Sequence, residues 1–222
     1  MRTRGHIGWL TLWSAAFGVT EGAVVTYLRR VCYPDQPLAG PLFPMRNLDR
    51  ALILTELTRE AGTLLMLLGV AMLAERRPFR RFAAFCFCFG IWDIVYYAML
   101  RVAIGWPASL LEWDVLFLIP APWAAPVLAP VLVALSLVAG AWLVLARLDE
   151  SAPSPLRAAD FWTLGIAGLV IVWSFLWHTA GLLRGDMPAD YPWWLFAIGW
   201  VAGLASFGLA WRRRVNPVRI QT

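Results

Sequence analysis

Glu21, Glu56, Arg59, Glu60, Asp93 and His178 each lie within a stretch otherwise apolar enough to span a bilayer. An ionisable group in hydrocarbon costs at least about 2.5 kcal/mol unless it is paired, hydrated or ligand-bound, so such residues mark a functional site. Four carboxylates against one guanidinium and one imidazole leave the set net negative, so it must hold protons or attract a cation. Glu21, Glu56, Glu60 and Asp93 are therefore the candidate catalytic residues, a protonated carboxyl serving as general acid and an ionised one as base. Arg59, Tyr97, Arg101 and Asp114 are the candidate substrate-binding groups. His178 with Glu56 and Glu60 forms the candidate ligand set for a divalent metal.

Other chemistry is poorly represented. No HExxH motif and no paired Glu-x-x-His is present, and with no second membrane histidine a two-histidine haem site is excluded. Ser174 precedes His178 by four residues, but no GxSxG accompanies it, and a helix-buried serine ordinarily bonds its own backbone. Cys32, Cys86 and Cys88 form neither a CxxC pair nor an even disulfide set, so packing is their expected role. Glycine-rich phosphate loops are absent.

The elements that must position these groups follow from composition. The 222 residues are 60% hydrophobic and 15% charged, with 14 tryptophans. That composition describes a polytopic membrane protein. All 19 basic residues are arginine. They gather at the ends of apolar segments and not along one polar surface, which argues for topology and against nucleic acid. The expected fold is an all-α integral membrane helical bundle, one transmembrane domain over 1–222. Its six transmembrane helices are placed at 7–28, 50–74, 82–100, 124–146, 160–183 and 191–211, each long enough at ~1.5 Å per residue to cross a core of about 30 Å. The first span could be taken for a secretory signal, but its apolar run is long and Glu21 precedes any small-residue cleavage site. Twelve arginines fall in the N-terminal, second-to-third, fourth-to-fifth and C-terminal connections and six in the opposite set. The positive-inside rule then places both termini in the cytoplasm and the chain in the inner (cytoplasmic) membrane. The proline-rich connection 31–49 and the linker DESAPSP at 149–155 are expected to be loops.

Depth turns the isolated charges into a layer. Glu21 lies eight residues from Arg29, Glu56 six from Arg50, Asp93 eight from Arg101 and His178 six from Arg184. At ~1.5 Å per residue these offsets are roughly 9–12 Å below the outer helix ends. The reading leaves the inner halves of the spans without charge. Glu56 and Glu60 share a helix face with Thr63 and with Arg59 at its edge; Gly90, Asp93, Tyr97 and Arg101 form a second stripe, flanked by Tyr96. Ser14, Gly18 and Gly22 make a small-residue face beside Glu21 that would let another helix approach closely, and Gly199 with Gly203 makes a second.

The segment 105–130 carries Trp106, Trp113 and Trp123, expected as interfacial anchors, and the further carboxylates Glu112 and Asp114. Pro122, Pro126 and Pro130 recur every fourth residue, each removing a backbone donor. Residues 107–121 are expected to form a re-entrant half-helix before a bent fourth span. Three function classes follow: an intramembrane enzyme acting on a lipidic ligand, a proton- or cation-coupled carrier of a small polar solute, and an accessory subunit of a membrane complex. The inner half offers a carrier no charged stepping stones, which ranks the enzyme first.

Overall fold

A computed structural model describes residues 2–32, 50–149, 154–186 and 188–215. Most of the two expected loops at 31–49 and 149–155 lies outside the described residues. Seven helices and a hairpin follow in order: α1 (Arg2–Cys32), α2 (Arg50–Ala74), α3 (Pro78–Ile104), β1 (Trp113–Phe117), β2 (Trp123–Pro126), α4 (Leu128–Arg147), α5 (Ala158–Leu176), α6 (Thr179–Arg184) and α7 (Trp193–Val215).

Local chemistry sets several of these boundaries. Pro78 opens α3, where a missing N–H is harmless, after an extended Arg77. Gly105 closes it in the left-handed conformation, φ 74°, returning its N–H to Arg101 O at 3.2 Å. Asp160 in the first turn of α5 accepts from the Arg157 backbone N–H at 2.8 Å and is held by Arg213 at 2.5 Å.

Among the described residues, five segments are long and apolar enough to cross a membrane: Arg50–Ala74, Pro78–Ile104, Leu128–Arg147, Ala158–Arg184 and Trp193–Arg214. The chain thus fits an integral, multi-pass membrane protein. Large apolar side chains that face outward, such as Leu73, Trp162 and Leu169, suit a lipid environment. Six such segments were expected. α1 is long enough at 31 residues, but its Glu21, Ser14, threonines and glycines dilute its apolarity. It packs along α3. A Cβ on Gly18 would come within 2.6 Å of the Trp92 carbonyl oxygen, so this small-residue face is a real close approach and presses Glu21 inward.

The re-entrant half-helix is corrected. Residues 113–117 and 123–126 form an antiparallel hairpin in which Asp114 faces Ala125 and Val115 faces Ala124. Aromatic and β-branched residues favour the extended backbone, and prolines at 120, 122 and 126 deny a helix its donors. The freed carbonyls find other partners: Pro122 O accepts from Thr179 Oγ1 at 2.8 Å. The fourth helix accordingly begins at Leu128, not at 124, and the fifth expected span is interrupted after Leu176 before α6.

Charge gathers at the α2–α3 connection, where four of the arginines counted for topology lie. Arg80, in the first turns of α3 and only 4% exposed, forms a two-pronged ion pair with Glu75, both contacts at 2.8 Å. Its remaining nitrogen donates to Leu148 O at 2.9 Å, capping the end of α4. Above this clamp the principal core packs Leu67, Phe87, Cys88, Ala84 and Leu145 between α2, α3 and α4.

Candidate functional site

Helices α1, α2 and α3 and the hairpin each present polar side chains to one cavity of about 320 Å³, whose lining also includes Ile171, Val172 and Phe175 of α5. The helical period explains the supply. Glu21, Val25 and Arg29 recur every four residues on α1; Glu56, Glu60 and Thr63 share one face of α2; Asp93 and Tyr97 share one face of α3, with Trp92 and Tyr96 beside them.

Arg59 organises the α1–α2 contact. Its Nε and Nη2 each lie 2.8 Å from Glu56 Oε2, and its Nη1 pairs with Glu21 Oε1. Thr63 Oγ1 donates to the other oxygen of Glu21 at 3.3 Å. One guanidinium therefore serves two carboxylates, each only 6% exposed. Removing it would leave buried negative charge uncompensated. Glu60 has a different partner: both its oxygens accept from the Leu118 backbone N–H, at 3.0 and 2.9 Å, which ties the hairpin to α2.

The hairpin's second contribution is Asp114, 1% exposed. Tyr97 donates its hydroxyl to Asp114 Oδ2 at 2.9 Å. This segment lies between the spans, and burial pushes the Asp114 carboxyl up to about 6 against the opposing pull of the Arg29 charge and the Tyr97 hydroxyl. Arg29 itself stacks over Trp106, its guanidinium carbon 4.1 Å from the ring centre.

Among the cavity-lining residues, the buried atoms Asp93 Oδ2, Asp114 Oδ1, Trp92 Nε1 and Trp123 Nε1 have no hydrogen-bond partner among the described residues. Buried polar atoms are almost always satisfied, so two acceptors and two donors without a protein partner on residues lining one cavity make it the candidate site for a polar molecule. Five carboxyls, Glu21, Glu56, Glu60, Asp93 and Asp114, meet only two guanidiniums, Arg29 and Arg59, in the same lining. The chamber favours protons or a cationic or hydroxyl-bearing guest.

Of the residues singled out from sequence, Glu21, Glu56, Arg59, Glu60, Asp93, Tyr97 and Asp114 line this cavity, whereas Arg101 and His178 do not. Arg101 donates to Gly105 O at 2.6 Å and Pro107 O at 3.0 Å, fastening the turn after α3. His178 Nε2 lies 2.6 Å from Asp190 O, and its ring meets Trp113 edge-on. That separates His178 from Glu56 and Glu60, and among the described residues no three His, Cys, Asp or Glu side chains gather as a metal-ligand group. The expected divalent-metal set is therefore corrected. Ser174 bonds Ile171 O and the Tyr191 hydroxyl, at 2.6 and 2.8 Å.

Sequence reasoning missed Arg29, Trp92, Trp123 and the Leu118 N–H. The Glu21–Arg29 spacing of two helical turns is a usable signal for Arg29, although a place at a helix end also suits a topological marker. Trp106 and Trp123, expected as interfacial anchors, instead sit under Arg29 and against the cavity. Nothing in sequence points to the Leu118 amide, because it depends on the hairpin. Compared with models of known protein families, with curated proteins and with solved structures, the chain matches none.

Proposed function

We propose that this protein is an intramembrane enzyme that performs carboxylate acid–base chemistry on the polar head of a lipid-like substrate, drawn from the outer leaflet of the inner membrane. The observation that carries the reading is the pair of open carboxylate oxygens, Asp93 Oδ2 and Asp114 Oδ1, in the lining of the same cavity as the open indole donors of Trp92 and Trp123. The three glutamates already have partners, so the aspartates are the groups with lone pairs to offer a substrate. Two carboxyls in the lining of one buried cavity favour one proton shared over the pair. The protonated member then acts as general acid and the ionised member as base, with Tyr97 holding Asp114 in place. Arg59 and Glu60 fix the walls, and the indole N–H groups orient acceptor atoms of the head group.

Acid–base work of this kind contributes typically about 10²–10⁴ in rate. The test compares lipid extracts, by mass spectrometry, from membranes of cells producing the wild-type chain, Asp93→Asn or Asp114→Asn, at matched protein levels. The wild type should deplete one lipid class and accumulate its product, and neither variant should. Identical lipid profiles in all three, together with pH-driven uptake of a solute into vesicles that both variants abolish, would replace the enzyme by a carrier.

A further inference from the structure

A second cavity, about 330 Å³, lies beside the first, between the α3–α4 pair and the α5–α7 pair. Each pair is tightly joined: a Cβ on Gly90 of α3 would fall 2.7 Å from Ala134 O of α4, and one on Gly199 of α7 would fall 2.8 Å from Ala167 O of α5. The cavity occupies the looser seam between them.

Its chemistry is the opposite of the first chamber's. Cys86, Leu137, Val144, Leu164, Leu204 and Phe207 give it a hydrocarbon lining. Its one hydroxyl, Ser136 Oγ, donates to Leu132 O at 2.7 Å and accepts from Trp200 Nε1 at 2.9 Å, so it asks nothing of a guest. No buried polar atom in this lining is without a partner among the described residues. The two cavities share Val133, Gly168 and Ile171. At Gly168, a Cβ would meet nothing within 4 Å, so the backbone there leaves the junction open.

Dimensions narrow the occupant. Along α4 the lining runs from Val133 to Val144, roughly 16 Å at ~1.5 Å per residue. Half of a hydrocarbon core of about 30 Å is ~15 Å, the depth a lipid tail occupies in one leaflet. We infer that the second cavity receives the hydrocarbon tail of the same molecule whose head group occupies the acidic chamber, the chain passing over Gly168. This rests on the proposed lipid-like substrate and adds to it: the substrate is a tailed amphiphile, selected by its chain as well as by its head. A small polar solute has no use for the second cavity.

The experiment reconstitutes the full chain in phosphatidylglycerol–phosphatidylethanolamine vesicles containing a phospholipid with a photoreactive diazirine near its tail end, and maps labelled peptides after illumination. Labelling at Leu137 and Leu204 should exceed that at Leu73, on the outward face of α2, and Gly168→Trp should lower the cavity labelling about tenfold, the loss expected when two methylene groups are no longer buried. Should Gly168→Trp fail to fold, Gly140→Leu, which fills the cavity from α4 where Cβ contacts are ordinary, gives the same readout. Cavity labelling no greater than at Leu73, or unchanged in the filled variants, overturns the inference. So does a dimer cross-linked through the seam, which would give the groove to a second copy. If the tail inference fails while Asp93→Asn still abolishes lipid turnover, the head-group chemistry stands on its own. If labelling behaves as expected but the aspartate variants turn over lipid normally, the enzyme reading fails and the tail site remains.

Discussion

The Leu118 backbone N–H donates to both carboxylate oxygens of Glu60, at 3.0 Å to Oε1 and 2.9 Å to Oε2. A loop amide thus meets a helix acid across 58 residues of sequence. The hairpin carrying Asp114 and Trp123 is tied to α2 by this contact, so Glu60 acts on the shape of the cavity.

Glu60→Leu leaves a buried amide without an acceptor and should destabilise the protein by about 1.5–3 kcal/mol, whereas Glu60→Gln retains an acceptor and should cost less. Thermal unfolding in detergent measures the two, and hydrogen exchange at the Leu118 amide reports the contact itself. Equal stability of Leu and Gln variants with unchanged exchange would remove the tether from the account.

Arg59 is the most consequential single charge. Arg59→Met removes the ion pairs that Glu21 and Glu56 make with Arg59 and should cost about 3–5 kcal/mol. Adding Glu21→Gln and Glu56→Gln to that background should recover much of the loss, because neutral amides need no counter-ion. A triple variant no more stable than Arg59→Met alone would show that packing, and not charge, sets the penalty.

The stripe of Glu56 and Glu60 was legible because four-residue spacing on a helix is independent of tertiary structure, and Asp93 with Tyr97 was legible for the same reason. His178 misled because its depth was counted along an unbroken helix. The helix stops at Leu176, and His178 adopts φ −101°, ψ 4°, which turns its ring toward Asp190 and Trp113. The hairpin was illegible for a related reason: strand pairing is non-local, and a short apolar run in a proline-rich segment has the same composition whether it dips as a helix or pairs as strands. Asp114 was therefore named as a binding residue without any means of seeing its juxtaposition with Tyr97.

Close helix contact makes a prediction independent of charge. Gly18→Leu must displace the Trp92 carbonyl, 2.6 Å from where its Cβ would sit, and Val95, at 3.0 Å. The expected cost is about 1–3 kcal/mol, with loss of the Glu21–Thr63 contact as the helices separate. Gly8→Ala on the same helix meets nothing within 4 Å and serves as the control. If both glycine variants melt together with the wild type, the α1–α3 contact is not the one drawn.

Asp114 gives the site a pH signature whose sign can be fixed in advance. Its carboxyl is raised to about 6 in the folded protein by burial, from about 3.9 in an unfolded chain. The folded state therefore holds the proton more tightly. The stability this contributes is complete below about pH 4 and is lost as pH rises through about 6, a difference on the order of 2–3 kcal/mol. Arg29 from α1, Arg59 and Glu60 from α2, and Asp93, Tyr96 and Tyr97 from α3 line the same chamber and titrate or hold charge beside it, so the wild-type curve alone is composite. The difference curve against Asp114→Asn isolates the one group, since asparagine keeps an acceptor for Tyr97 but holds no titrating proton. Wild type should lose stability relative to Asp114→Asn between about pH 4 and pH 7, and parallel melting curves over that window would contradict a buried, proton-holding Asp114.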